Sequence, residues 1–188
     1  MKLTGTKVKI LRQGRSLLQR HGYHGFSFQD IADCLEIKKA SLYDHYSSKE
    51  ELILAILDEY FIQFQDWTVR IQDLSSLEKI QKVFEIFFTF TSDKRKVCPV
   101  LALTIDTKPL SQKIQKKMRL FVEAWLQWLE QQVRQGQAKS EIRPDLDPRW
   151  VASFIYNEGM GSQIQARVYQ DPKIPLQCGQ MVLQLLQS

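Results

Sequence analysis

The chain has 188 residues with a formal net charge of +5, and 44% of its residues are hydrophobic against 25% charged. This balance is typical of a globular protein with a buried core and excludes an intrinsically disordered chain. No apolar run approaches the roughly 18 residues that a membrane span needs, and the first residues lack the apolar core of a signal peptide, so we expect no membrane partner.

Every predicted element is a helix, because no glycine lies between Gly25 and Gly136 and the turn residues that paired strands need are missing from that span. Capping residues and apolar spacing predict nine helices. They cover about residues 6–22, 27–35, 38–46, 48–67, 75–90, 99–107, 111–135, 147–169 and 175–187. The fold class is therefore all-α, with Ser27, Ser75 and Asp147 as predicted N-caps and Gly136 as the predicted end of the seventh helix. Ser75 and Glu78 are predicted to form a capping box.

Positive charge is concentrated at the start of the chain. The first 50 residues contain nine Lys and Arg against five acids, so most of the excess charge lies in the first quarter of the sequence. Such an asymmetry predicts a head that binds a polyanion, attached to a nearly neutral body. A basic face that is simply solvated remains the alternative on charge alone.

The segment from Ser27 to Tyr46 reads as two short helices joined by a tight turn. Two such helices cannot bury a core alone, but packed on the first and fourth helices they form a small bundle that presents one helix outward. The major groove of B-DNA, about 12 Å wide, admits one α-helix, so this pattern predicts a helix-turn-helix that reads DNA. The outward residues would be Lys38, Lys39, Ala40, Ser41, Tyr43 and Asp44.

Two stretches of this head carry a specific resemblance. Residues 22–32 read GYHGFSFQDIA and residues 39–52 read KASLYDHYSSKEEL. This head resembles the DNA-binding domain of the TetR family of bacterial transcriptional regulators, closely over about residues 6–55. The resemblance implies a DNA-binding domain at residues 1–48 and a ligand-binding and dimerisation domain at residues 49–188. It also implies a homodimer, a double-stranded DNA operator, a small-molecule effector and no cofactor.

The resemblance assigns roles to residues of the head. Tyr43 and Lys49 fall on positions that contact phosphates, and Ser27 and Gln29 contact phosphates through amides and side chains. The positions that contact base edges and nearby phosphates are occupied by Lys38, Lys39, Ala40 and Ser41. The chain departs from the family pattern at Glu36, where the turn usually has glycine, so Glu36 must either tolerate a left-handed φ or alter the turn. It departs again at Lys38, which cannot cap the third helix.

The body is rich in large aromatic side chains, which predict an apolar pocket between helices for an apolar or aromatic effector. Its predicted lining is Phe64, Phe87, Phe88, Thr104, Trp125, Trp128, Phe154 and Asn157, with Thr104 and Asn157 as the polar contacts. The last two helices are the predicted dimer seam, because small residues inside a helix favour the close approach of another helix. A local break of the helix is the alternative interpretation of the same small residues. The seam residues are Val151, Phe154, Ile155, Gly159, Ser162, Met181 and Leu185.

The three cysteines are widely spaced and odd in number, which predicts no disulfide framework and favours a reducing, cytoplasmic location. Cys98 follows three basic residues and precedes a predicted helix, an environment that lowers the pKa of a thiol, so a redox role is one hypothesis for it and inert burial is the other. His21 and His24 are three residues apart, a spacing that could suggest a metal site, but they straddle a helix end without a fitting cysteine or acid cluster, so a structural role and no metal are expected.

The predicted function is a ligand-responsive, DNA-binding repressor that a small molecule releases from a palindromic operator. Two alternatives belong to other classes. One is a helical enzyme that uses Cys98 or a carboxylate, although no catalytic arrangement is visible in the sequence. The other is a helical ligand-binding or protein-binding module whose helix-turn-helix no longer binds DNA.

Overall fold

The computed structural model describes residues 5–93, 96–104 and 109–187 of the chain. The described residues form nine α-helices and no strand, which confirms the all-α prediction and the order of its helices. The helices are α1 (Thr6–His21), α2 (Phe28–Leu35), α3 (Lys39–Tyr43), α4 (Lys49–Arg70), α5 (Ser76–Thr91), α6 (Pro99–Thr104), α7 (Gln112–Ala138), α8 (Pro148–Tyr169) and α9 (Ile174–Gln187).

Side-chain caps fix the starts of several helices. The hydroxyl of Ser75 accepts a hydrogen bond from the Glu78 amide, and the Glu78 carboxylate accepts one from the Ser75 amide, so the predicted capping box at α5 is confirmed. At α8 the Asp147 carboxylate accepts bonds from two amides of the first turn, and Pro148 occupies the first helical position. These caps satisfy amide groups that have no partner within the helix.

Two predicted boundaries differ from the observed ones. The third helix has five residues, Lys39–Tyr43, because the amides of both His45 and Tyr46 turn back onto the carbonyl of Leu42 and end it early. Gly136 does not end α7, which continues to Ala138. A Cβ atom at Gly136 would lie 2.6 Å from the Cδ1 atom of Ile142, so this glycine makes room for a packed side chain inside the helix.

The chain forms two compact units. The first contains residues 1–64 and 99–119, and the second contains residues 65–98 and 120–188. In the first unit, α1 packs against α2 and α6, and α2 packs against α3. Gly14 of α1 allows Leu52 to approach closely, since a Cβ atom there would lie 2.8 Å from a Leu52 methyl carbon. The first unit thereby holds α2 and α3 on a scaffold of longer helices.

The second unit is built around α5, which packs against both α8 and α9. Gly159 of α8 approaches the ring of Phe87, and Gly179 of α9 approaches Phe84. The close approach predicted for the small residues of α8 is therefore present, and its partner is a helix of the same chain. Among the described residues, no helix is both long enough and apolar enough to cross a membrane.

Candidate nucleic-acid interface and effector site

The turn between α2 and α3 is fixed at both ends. Ser27 caps α2 and forms a capping box with Asp30, as the sequence predicts. Glu36 ends α2 in the left-handed region, with φ 54° and ψ 42°, so it adopts the conformation that glycine usually supplies. Lys38 then begins α3 with an extended backbone and without a side-chain cap. The turn therefore keeps the conformation of a glycine turn although it contains no glycine.

One face of α3 is buried and the other is exposed. Leu42 is fully buried in the first unit, and Lys38, Lys39 and Ala40 are exposed, with Ser41 half-buried. Tyr43 exposes 51% of its side chain, and its ring lies 5.2 Å from that of the buried Phe28. Phe28 thereby fixes the aromatic ring at the edge of the exposed face. The arrangement presents two positive charges and a phenol on one side of a short, supported helix.

The two residues predicted at the start of α2 are engaged by their own helix. The amide and hydroxyl of Ser27 both donate to the Asp30 carboxylate, and the Gln29 side chain donates to Asp33 at 2.7 Å. The bonds from Ser27 hold the pKa of Asp30 below its ordinary value, so this carboxylate stays ionised at neutral pH. A phosphate contact of Ser27 therefore competes with Asp30, and both assignments stay predictions.

Lys49 lies in an aromatic setting at the start of α4. Its ammonium group lies 4.9 Å from the ring centroid of Tyr23 and 4.0 Å from that of Phe26, and it donates a hydrogen bond to the Phe26 carbonyl. Cation–π contacts of this kind hold a lysine in place. Lys49 therefore stabilises the segment between α1 and α2, and its predicted phosphate contact stays a prediction.

The residues predicted for the effector pocket divide between the two units. Phe64 and Thr104 belong to the first unit, and the other six belong to the second. In the second unit, the rings of Phe87 and Trp125 lie 6.3 Å apart and those of Trp125 and Trp128 lie 6.1 Å apart. These three residues thus form one aromatic cluster, with Phe87 and Trp125 almost completely buried.

Both predicted polar contacts lie on exposed positions, which corrects their assignment to an interior cavity. Asn157 is on the exposed side of α8, and the Thr104 hydroxyl donates to the Leu101 carbonyl of its own helix. Phe154 is also exposed, in a groove that it shares with Trp150 and Leu185. Phe88 lines a different groove, between α5 and α9.

The predicted dimer seam separates into buried and exposed residues. Val151, Ile155, Gly159 and Ser162 are buried in the protomer, where they form the inner side of α8, so they cannot supply a docking surface. Phe154, Met181 and Leu185 are exposed, as the seam requires. The sequence interpretation assigned Phe154 to the seam but missed the other exposed apolar residues on the outer side of α8, which are Trp150, Ile164 and Val168. The sequence signal for this outer side is a row of residues spaced three and four apart along the helix. The row is Trp150, Phe154, Asn157, Gly161, Ile164 and Val168.

Cys98 is buried, with 3% of its surface exposed, and its amide donates to the Gln163 side chain at 2.7 Å. Burial raises the pKa of the neighbouring Tyr156 hydroxyl, and Cys98 contributes to the same shift. Two of the three basic residues before Cys98, Lys94 and Arg95, lie outside the described residues. Burial is typical of a packing cysteine, and the redox hypothesis stays a prediction. No three His, Cys, Asp or Glu residues within the described ranges are grouped to hold a metal ion.

Two family models match the chain. The model for bacterial regulatory proteins of the tetR family matches residues 10–56, and the model for the tetracyclin repressor-like C-terminal domain matches residues 76–179. The chain belongs to the TetR family. The first match covers the helix-turn-helix with its supporting helices, and the second covers most of the second compact unit. The resemblance inferred from residues 22–32 and 39–52 is thereby confirmed.

Known proteins resemble this TetR-family chain over nearly its whole length. The HTH-type transcriptional repressor DhaR of Mycobacterium sp. strain GP1 is 24% identical over 170 residues, which are 89% of this chain and 85% of the relative. A TetR transcriptional regulator from Legionella pneumophila is 28% identical, with a TM-score of 0.87 and coverage of 99% of this chain and 100% of that one. A TetR-family regulator from Agrobacterium tumefaciens shares the fold, with 20% identity, a TM-score of 0.89 and 97% coverage of both chains.

Membership of the TetR family establishes the class of function. The protein is a DNA-binding transcriptional regulator, and ligand-responsive repression is typical of its family. Nothing in these matches favours a helix-turn-helix that has lost DNA binding. The family consists of transcriptional regulators, which are generally not enzymes.

Proposed function

We propose that this regulator represses transcription by inserting α3 of each protomer of a homodimer into the major groove of a palindromic operator, and that a small molecule releases it. The single observation that carries the proposal is the exposed face of α3. Lys38, Lys39 and Tyr43 project from a helix whose opposite side is anchored by the fully buried Leu42. Residues 1–48 act as the DNA-binding head and residues 49–188 as the body, in the cytoplasm and without catalysis.

The chemistry of α3 suits a nucleic acid. Lysines near the start of a groove helix neutralise phosphates or donate to the O6 and N7 atoms of guanine. Ala40 and Ser41 are small enough to let the helix approach base edges closely. Tyr43, which rests on Phe28, offers its hydroxyl to a phosphate from a ring of fixed orientation. Residues 38–41 therefore contact the bases, and Tyr43 contacts the DNA phosphates. Ser27, Gln29 and Lys49 make further contacts to the DNA phosphates.

Release follows from a difference in affinity. An effector releases the operator when it binds more tightly to the conformation in which the two heads are misplaced. The loss of operator affinity cannot exceed the ratio of the effector's affinities for the two conformations. The body has an aromatic interior formed by Phe87, Trp125 and Trp128 on which such an effector could act.

The first test is to select bound fragments from the protein's own genome and to footprint them. We expect one protected palindrome whose half-sites lie about one helical turn apart. Replacing Lys39 by Gln should change the preferred bases and lower the slope of log affinity against log salt by about one. Tyr43→Phe should lower the affinity for all DNA sequences alike, because a phosphate contact carries no sequence information.

Lys173→Gln is the matched control, since it removes an exposed lysine from the second unit and should leave operator preference unchanged. The proposal is contradicted if operator affinity is insensitive to salt between low and moderate ionic strength. It is equally contradicted if Lys39→Gln and Lys173→Gln have the same effect on binding.

A further inference from the structure

A polar pocket in the second unit has received no role so far. It lies between the carboxyl end of α4, the first turns of α5 and the carboxyl half of α7, and its volume is about 280 Å³. This volume is at the small end of the range for ligand sites. Among the residues predicted for the effector pocket, Trp128 is the one that lines it. The side chains that decide its chemistry are Gln72, Lys79, Trp128, Gln131, Gln132 and Gln135.

Lys79 is the charge in this pocket. Its side chain is in the second turn of α5 and only 9% of the residue is exposed. No carboxylate within the described ranges forms an ion pair with it, and the described pocket lining contains no acid. Most of the Lys79 stem is therefore buried, and its ammonium group has no carboxylate partner in the described part of the chain, so a bound anion would supply a counter-ion.

Gln132 adds a second unsatisfied group. It is 4% exposed, and its Oε1 atom has no hydrogen-bond donor in the described part of the chain. Its Nε2 atom donates to the Trp128 carbonyl at 3.3 Å, so the side chain is held with its oxygen unpaired. A buried acceptor without a donor is destabilising, and a ligand with an O–H or N–H group would remove that cost.

Trp128 supplies an apolar wall of fixed orientation. Its ring is 5.1 Å from that of Trp67 and 6.1 Å from that of Trp125, and both neighbours belong to the same unit. A planar apolar group can pack against such a ring, and the amides of Gln72, Gln131 and Gln135 line the same pocket. The pocket therefore combines a cation, an unpaired acceptor and an aromatic surface.

We propose that this pocket binds a small aromatic monocarboxylate that also bears a hydroxyl or amino group. The carboxylate pairs with Lys79, the second group donates to Gln132, and the ring packs on Trp128. One lysine with no acid nearby matches a single negative charge. The sequence predicts an apolar or aromatic effector and leaves its charge open, and the proposal adds a single negative charge to an aromatic ring. Binding of the monocarboxylate does not depend on the proposed function, whereas its control of DNA binding rests on that function.

Calorimetric titration of the full-length protein without DNA tests the site, with 4-hydroxybenzoate as the probe and its neutral analogue 4-hydroxybenzamide as the comparison. We expect saturable binding that is tighter for the carboxylate. Lys79→Met should weaken carboxylate binding about tenfold or more and should change amide binding little, because it removes the charge and keeps the aliphatic stem. Lys79→Met should also fold normally, since it keeps the buried aliphatic stem and breaks no ion pair among the described residues.

Two further variants sharpen the test. Lys82→Met removes the next lysine of α5, which is 42% exposed and pairs with Glu85, and it should leave carboxylate binding unchanged. Gln132→Met should abolish the advantage of 4-hydroxybenzoate over benzoate, because the hydroxyl loses its acceptor. A melting curve of each variant, followed by circular dichroism, separates lost binding from lost folding.

The proposal is overturned if neither benzoate nor 4-hydroxybenzoate binds saturably, or if Lys79→Met and Lys82→Met weaken binding equally. A separate arm adds 4-hydroxybenzoate to the complex with operator DNA. Binding without release would contradict control by this occupant and leave the site standing. A protein that binds no operator DNA even without 4-hydroxybenzoate, while its anion site is intact, would contradict the proposed function alone.

Discussion

At the scale of single residues, the conformation of Glu36 is the least expected feature of the head. It is one of three described residues other than glycine with a positive φ, together with Ser140 and Gln170. The sequence indicates this strain, because the turn residue that the family usually has is glycine and the chain has glutamate. Glu36 is exposed at the end of α2, and its amide still closes the helix by donating to the carbonyls of Ala32 and Asp33.

Replacing Glu36 by glycine should stabilise the head. A left-handed φ is costly for a residue with a side chain, and glycine removes that cost while it adds freedom to the unfolded chain. We expect the free energy of unfolding to rise by about 0.5–1 kcal/mol. Urea-induced unfolding at one fixed protein concentration measures this change.

Cys34→Gly is the control for this substitution, since it introduces the same residue at an exposed helical position of α2. It should destabilise the protein by about 0.5–1 kcal/mol, because glycine is a poor helix former. A similar loss of stability in both variants would show that Glu36 is not strained.

At the scale of helices, local chemistry predicts starts better than ends. Ser27, Ser75 and Asp147 could be assigned as caps from the sequence, because a cap needs only residues within the same turn. Gly136 could not be assigned correctly, since its role depends on Ile142 folding back against it. The short length of α3 likewise depends on backbone hydrogen bonds made after the helix, and no residue type in the sequence indicates them.

Gly159 allows a direct test of such tertiary packing. An added Cβ atom would lie 2.0 Å from a ring carbon of Phe87, which is itself buried. Gly159→Ala should therefore lower the free energy of unfolding by about 1–3 kcal/mol, although alanine favours the helix. Chemical denaturation measures the loss, and the double variant with Phe87→Leu should recover part of it.

Gly14→Ala is the matched control in the other unit. There the new methyl group would meet the tip of the Leu52 side chain, at 2.8 Å, and this flexible end can move aside more easily than a ring. The gain in helix propensity, about 1 kcal/mol, should offset the small displacement and leave stability nearly unchanged. Equal losses of unfolding free energy in the two variants would mean that the Phe87 ring is not the reason why Gly159 cannot accept a side chain.

At the scale of the whole molecule, the outer side of α8 is the surface that we expect to join two copies. Trp150 is 80% exposed and Ile164 is 52% exposed, which is unusual for such large apolar residues. A Cβ atom at Gly161 would have no atom within 4 Å, so the helix backbone is open to a neighbour there. The sequence interpretation placed the seam on the last two helices but chose mainly inner residues of α8, because burial against α5 and exposure to a partner both require apolar residues.

Ile164→Glu should break the proposed homodimer. A charge on the apolar stripe of α8 would be buried without a partner in the seam, and we expect dimer dissociation to increase at least tenfold. Sedimentation at several protein concentrations measures the dissociation. Operator affinity should fall with it, because the second head of a dimer binds at high effective concentration once the first is bound, and two monomers lose this advantage.

Gln165→Glu adds the same charge at the next, exposed position of α8, beside the stripe, and should leave both assembly and operator affinity unchanged. The two variants differ only in which side of the helix carries the charge, so unequal dissociation assigns the seam to the stripe. If Ile164→Glu remains a dimer with wild-type affinity for the operator, the protomers join through another surface, and the exposed row from Trp150 to Val168 needs a different partner.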